Sequence, residues 1–260
     1  GQNVPFANRD AISFKNYLMK MYNMPEKHIL ILVDGTLASM REKILQFKSL
    51  MHMNNDSGSD SQFIFYYSGH GMPSETTGDP FIMPVDVSAY TVDQAISLNE
   101  LLMDFSRYET QKTTVIVDAC FSGVSRSPEP LIKVRGVGSR KLKKRSGNKS
   151  SNKSYFNYYM PVSYTDINYI NPNIGKNMML ISSSSGEETS LTWDDNQHGL
   201  FTYYFLKFLQ KSKGDISNEE LFNNVKKEVR FEAVMGFGGK NQTPEVLYGE
   251  QFKKDDQFLK

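Results

Sequence analysis

Cysteine and tryptophan are almost missing from this sequence, with one of each in 260 residues. A single thiol cannot close an internal disulfide, which excludes a small disulfide-stapled scaffold. The chain therefore fits a reducing, cytoplasmic compartment, or one in which the thiol is kept for its reactivity. Long apolar runs are missing too: the richest, 201–209, is broken by Lys207, well short of the ~18 residues a membrane helix needs. Residues 1–10 lack a basic start followed by an apolar stretch, so no signal peptide and no membrane partner is expected. Neither charge sign is in excess, since 30 Lys+Arg meet 29 Asp+Glu for a net charge of +1. Nothing global points to nucleic acid or an anionic surface. The four histidines are scattered, which gives no zinc pattern.

What is present is an alternation of short apolar runs with stretches of helical period. That alternation implies an α/β fold with a mostly parallel sheet flanked by helices. Strands are expected over residues 28–33 (HILILV), 62–67 (QFIFYY), 113–117 (TTVIV) and 178–182 (MMLIS), each apolar on both faces. Asn8 and Thr36 are expected to cap the helices that follow them, and Ser97 with Glu100 and Ser217 with Glu220 have capping-box spacing. Residues 199–209 read as a buried helix, and 54–60 as a polar turn. Residues 1–260 are read as a single domain, interrupted at about 125–154 by a basic insertion. That insertion holds too little apolar surface to offset its ordering entropy and is expected to be mobile.

Chemistry concentrates in two motifs at strand ends, Tyr67-Ser68-Gly69-His70-Gly71 and Asp118-Ala119-Cys120-Phe121-Ser122-Gly123. Side chains just beyond the carboxyl ends of neighbouring parallel strands converge on one crevice. A thiol beside an imidazole is an activated nucleophile, because the imidazole takes the thiol proton and later protonates the departing amine. Cys120 and His70 are thus the candidate catalytic pair, and the N–H groups of Gly71 and Cys120 the candidate oxyanion donors. Taken singly, a lone cysteine at a strand end or a histidine in a glycine-rich loop is more often a structural residue.

At these residues the sequence resembles the caspase and metacaspase group of cysteine peptidases, in which Ser-Gly-His-Gly precedes Asp-x-Cys by about 50 positions. Further likeness lies in Asn8-Arg9-Asp10-Ala11, Met83-Pro84-Val85-Asp86, Leu180-Ile181-Ser182-Ser183, His198-Gly199-Leu200-Phe201-Thr202 and Gln242-Thr243-Pro244. The details look closer to bacterial metacaspase-like and paracaspase-like enzymes than to animal caspases. The resemblance implies a three-layer caspase-like fold and a cysteine endopeptidase acting on a protein or peptide substrate, with an activating or regulatory partner possible. It implies acidic floors for the substrate pocket at Asp118 and at Glu187, with Glu188 close behind, and hence cleavage after Arg or Lys. The arginine that Asp-cleaving caspases use corresponds here to Val4. The plain alternatives are that Asp118 complements the start of a following helix and that the two glutamates lie on a solvated loop. Trp193 is placed either as a wall of the neighbouring subsite or as a loop anchor.

The basic insertion lies where this group carries the linker cut on activation, which makes Arg140, Lys144 and Arg145 candidate self-cleavage positions; the alternative is a solvated loop. It lacks interleaved aromatics, so a nucleic-acid partner is not expected. No metal or other cofactor is expected, with calcium dependence, which many metacaspases show, kept as the alternative: Leu98 and Asn99 stand where those enzymes carry paired acids for calcium, and Asp194 with Asp195 alone make a poor calcium site. The resemblance also implies an apolar strand before residue 3, which this sequence lacks. Two rival readings remain, an inactive caspase-like binding module and a caspase-like peptidase specific for acidic residues.

Overall fold

The structure is a computed structural model that describes residues 4–58, 61–74, 76–109, 111–121, 174–185 and 188–259. In chain order its elements are α1 (Ala7–Met21), α2 (Leu37–Asp56), β1 (Gln62–Ser68), β2 (Gly71–Pro73), β3 (Pro80–Ile82), β4 (Ile96–Ser97) and α3 (Leu98–Ser106). There follow β5 (Lys112–Asp118), β6 (Met178–Ser182), β7 (Thr192–Trp193), β8 (His198–Gly199), α4 (Leu200–Lys211), α5 (Asn218–Met235) and β9 (Glu245–Tyr248). The main sheet has the order β1-β5-β6-β9, with β1, β5 and β6 mutually parallel and β9 antiparallel at one end. A small antiparallel sheet of β2, β3 and β4 and the hairpin β7–β8 extend from it.

Two apolar cores, one per face, make this a three-layer molecule. Successive strand residues point to opposite faces, so β5 sends Ile116 to one core and Val115 and Val117 to the other, while β6 splits Met179 and Ile181 from Met178 and Leu180. The first core is closed by α1, α4 and α5 through residues such as Phe14, Phe205 and Val225. The second is closed by α2 and α3 through Met51, Leu101 and Phe105. Fully buried side chains of this size contribute roughly 1.5–3 kcal/mol each relative to exposure. The sheet is therefore held from both sides, and its carboxyl ends are rigid platforms.

Helix starts follow local chemistry. Thr36, Ser97 and Ser217 each accept an N–H from the third residue on, at 3.2 Å in every case. Asn8 does not cap: α1 begins at Ala7 after Phe6, whose φ of 66° turns the chain sharply, and Asn8 lies inside the first turn, accepting the Arg9 N–H. Residues 54–56 continue α2 rather than forming a turn. The expected strand at 28–33 is also corrected. Glu26–His28 form a 3-10 turn, and residues 29–32 join no ladder among the described residues. Leu30 and Val33 are each 38% exposed there. An apolar run favours extension, but a strand exists only where a neighbour supplies the ladder. The insertion at 125–154 lies outside the described residues.

Phe205 touches Phe14, Phe201 and Phe258 with ring centroids 6.4, 5.5 and 5.5 Å away. Replacing it by alanine is expected to lower unfolding free energy by about 3–5 kcal/mol, read from the urea midpoint at constant m-value.

Candidate active site

β1 and β5 run parallel with Ser68 opposite Asp118. His70 and Cys120 are each two residues beyond that pair, so both leave the sheet at the same level. The Gly69 N–H donates to the Asp118 carbonyl at 3.2 Å, carrying the contact one residue past the ladder. The His70 carbonyl accepts the Tyr67 hydroxyl at 2.7 Å and the Met83 N–H at 3.0 Å, which ties the histidine loop to β3. Gly71 is required by close approach: a Cβ there would stand 2.6 Å from Phe121 Cε1 and 2.8 Å from the Cys120 carbonyl oxygen. The two motifs singled out in the sequence are therefore in van der Waals contact.

Cys120 is 3% exposed and forms no disulfide. Its Sγ accepts the N–H of Ser190 at 2.8 Å and lies 3.5 Å from the Ser190 carbonyl oxygen. Asp118 is fully buried beside it. Its Oδ1 accepts the Ser190 hydroxyl and its Oδ2 the Thr202 hydroxyl, both at 2.6 Å. Because Thr202 spends its single proton on Asp118, the 2.7 Å contact between its Oγ1 and Tyr66 is donated by the tyrosine. Gln242 holds the covering segment in place: its Nε2 donates to the Ser183 carbonyl and its Oε1 accepts the Leu191 N–H, each at 2.9 Å. In this state one residue, Ser190, faces both the thiol and the carboxylate that the sequence reading assigns to the substrate pocket.

The other candidates fall around this centre. Glu188 accepts the Thr243 hydroxyl at 3.0 Å and the Ser185 hydroxyl at 3.2 Å, and so ties its loop to the segment that bears Gln242. Trp193 packs against Tyr203, Tyr204 and Phe237 at 5.1, 5.8 and 6.5 Å. Burial, with nearby Glu232, holds the Tyr204 hydroxyl well above the usual tyrosine range, so this aromatic cluster stays neutral. Glu187 and the positions Arg140, Lys144 and Arg145 lie outside the described residues. Among the described residues no three His, Cys, Asp or Glu side chains gather as a metal site. Sequence reasoning gave no chemical role to Ser190, Thr202 or Gln242. All three stand in segments that resemble the family, Ser190 at the end of Ser185-Gly186-Glu187-Glu188-Thr189-Ser190, where the likeness drew attention to the acidic residues and not to the serine.

Gly71→Ala is expected to push the His70 loop away from Cys120, because the clash is partly with backbone. The measurement is the rate of Cys120 alkylation by iodoacetamide at neutral pH, expected to fall about tenfold or more if the imidazole supports the thiolate.

Comparison with known proteins bears on the fold and the family. The sequence matches the family described as the caspase domain over residues 4–254. The crystal structure of caspase-1 from Spodoptera frugiperda is similar in fold, with a TM-score of 0.55, 10% sequence identity, and coverage of 93% of this chain and 77% of that one. No curated protein sequence gives a significant match. With a match that runs from β1 through β9 and includes both strand-end motifs, the chain belongs to the caspase-domain family of cysteine peptidases.

Proposed function

We propose that this domain is a cysteine endopeptidase that cleaves peptide bonds after Arg or Lys. The observation that supports the reading is the register of β1 and β5, which ends with Ser68 opposite Asp118, two residues before His70 and Cys120. Cys120 passes its proton to His70, and Sγ attacks the scissile carbonyl carbon. The oxygen of the tetrahedral intermediate takes the negative charge and is held by backbone N–H groups of Gly71 and Cys120. The His70–Met83 bond makes Gly71 and Ile82 the non-hydrogen-bonded pair that follows, so the β2–β3 ladder does not consume the Gly71 N–H. His70 then protonates the departing amine, and water, deprotonated by the same imidazole, hydrolyses the thioester to regenerate the thiol.

Specificity for a cation is assigned to Asp118, with Glu187 as the second acid. A buried carboxylate already satisfied by two hydroxyls is a strong anionic floor once one hydroxyl leaves. A substrate guanidinium or ammonium would take the place of the Ser190 hydroxyl at Oδ1, and the Ser190 N–H would leave Sγ at the same time. Binding the right side chain and uncovering the nucleophile are then one event. The same specificity makes Arg140, Lys144 and Arg145 the positions for self-processing.

The covered thiol is the observation that favours the second reading, a caspase-like module that binds a partner without cutting. Fluorogenic peptides ending in Arg, Lys or Asp, tested with and without calcium, separate the readings. Release from the Arg and Lys peptides is expected. Cys120→Ala should lower it by at least about a thousandfold. Asp118→Asn should raise KM for the Arg peptide by about tenfold or more. Preference for the Asp peptide, or equal turnover by the Cys120→Ala protein, would overturn the proposal.

A further inference from the structure

Asp10 is a fully buried carboxylate in the first turn of α1, where the helix N-terminus favours an anion. Burying an ionised carboxylate is costly unless hydrogen bonds replace its water. Here Oδ2 accepts the Ser68 hydroxyl at 3.1 Å, Oδ1 lies 2.8 Å from His198 Nδ1, and the Gly199 N–H lies 3.2 Å from both oxygens. One carboxylate thereby joins α1, the end of β1 and the β8–α4 junction.

Docking of α1 does not need this arrangement. Phe14 stacks on Tyr66 with ring centroids 4.5 Å apart and touches Phe205, so apolar contacts already seat the helix on the sheet and on α4. What Asp10 adds is direction. Its Ser68 arm holds the residue opposite Asp118, two before His70. Its His198 and Gly199 arm holds the junction from which the Leu200 N–H reaches the Leu191 carbonyl at 2.8 Å, beside the Ser190 that meets Cys120 Sγ. Two residues past Leu200, Thr202 holds Asp118. The carboxylate thus ties the chain that carries His70 to the chain that lies against Cys120.

We propose that Asp10 and His198 form a positioning pair that sets the placement of the His70 loop relative to the Cys120 thiol. Neither touches the reacting atoms. The inference rests on the reading of His70 and Cys120 as acid/base and nucleophile.

The test uses the full chain as wild type, Ser68→Ala, Asp10→Ala and Asp10→Asn, with an Arg-ended fluorogenic peptide and iodoacetamide alkylation of Cys120 as separate readouts. Misplacement of a catalytic group by about 1 Å costs up to about a hundredfold, so Ser68→Ala should lower kcat roughly tenfold and Asp10→Ala roughly a hundredfold, with KM within about threefold. Alkylation should slow in the same order. Asp10→Asn keeps an oxygen for Gly199 and Ser68 and offers an amide N–H to His198 Nδ1 in the tautomer protonated at Nε2, so it should recover kcat to within about threefold of wild type. Ser68→Ala removes one hydroxyl and should keep the thermal midpoint within about 2 °C, which separates positioning from loss of fold. Unchanged kcat in Ser68→Ala and Asp10→Ala, a rise in KM alone, or losses that only track the unfolded fraction would overturn the pair while leaving the peptidase in place. A protein that cuts no peptide, yet shows the ordered loss of alkylation, would keep the pair and remove the peptidase reading. If it cuts nothing and alkylates equally in every variant, both fail.

Discussion

The parallel register of β1 against β5 is the constraint on which the site depends. Side chains with no covalent or sequential relation, 50 positions apart, become neighbours because Ser68 and Asp118 face each other at the last rung. The register is itself enforced by burial. A slip of one residue would exchange Ile116 with Val115 and Val117 between the two cores and turn every strand side chain to the wrong face. The placement of the two strand-end motifs is therefore underwritten by apolar packing well away from them.

Above that rigid platform the site is assembled from polar groups with little slack. Asp118 and Asp10 are both fully buried, and each gathers hydroxyl or N–H donors from segments far apart in sequence. Such networks are unforgiving, because an unpaired buried polar atom costs more than a satisfied one gains. They define one arrangement of the rim rather than several. The same logic describes the covering of Cys120: Ser190 satisfies thiol and carboxylate together, while Gln242 and Glu188 hold its segment from behind. A ligand that displaces Ser190 must offer both groups a replacement, so under the proposed function recognition of a cationic side chain and exposure of the thiol are one event.

Strands β5 and β6 were legible because each is a short apolar run buried on both faces, as a covered parallel strand should be, and β1, at the end of the strand order and only partly buried, carries a run of the same kind. Residues 28–33 carry the same local pattern yet form no strand among the described residues, since strand identity is settled by the partner and not by the run itself. Caps at Thr36, Ser97 and Ser217 were legible because capping is local. Asn8 misled because residue type suggested a cap while the chain had already turned at Phe6.

The sequence by itself determined the chemistry on offer: one thiol and one imidazole at strand ends, with glycines that allow close approach. Those facts are local, carried by residue type and spacing. Only the tertiary structure decided what surrounds them. That Ser190 lies on both Cys120 and Asp118, that Glu188 holds Thr243, and that Asp10 joins Ser68 to His198 are contacts between segments 55 to 188 positions apart. No periodicity or short motif encodes such contacts, because they exist only after the two cores have closed on the sheet.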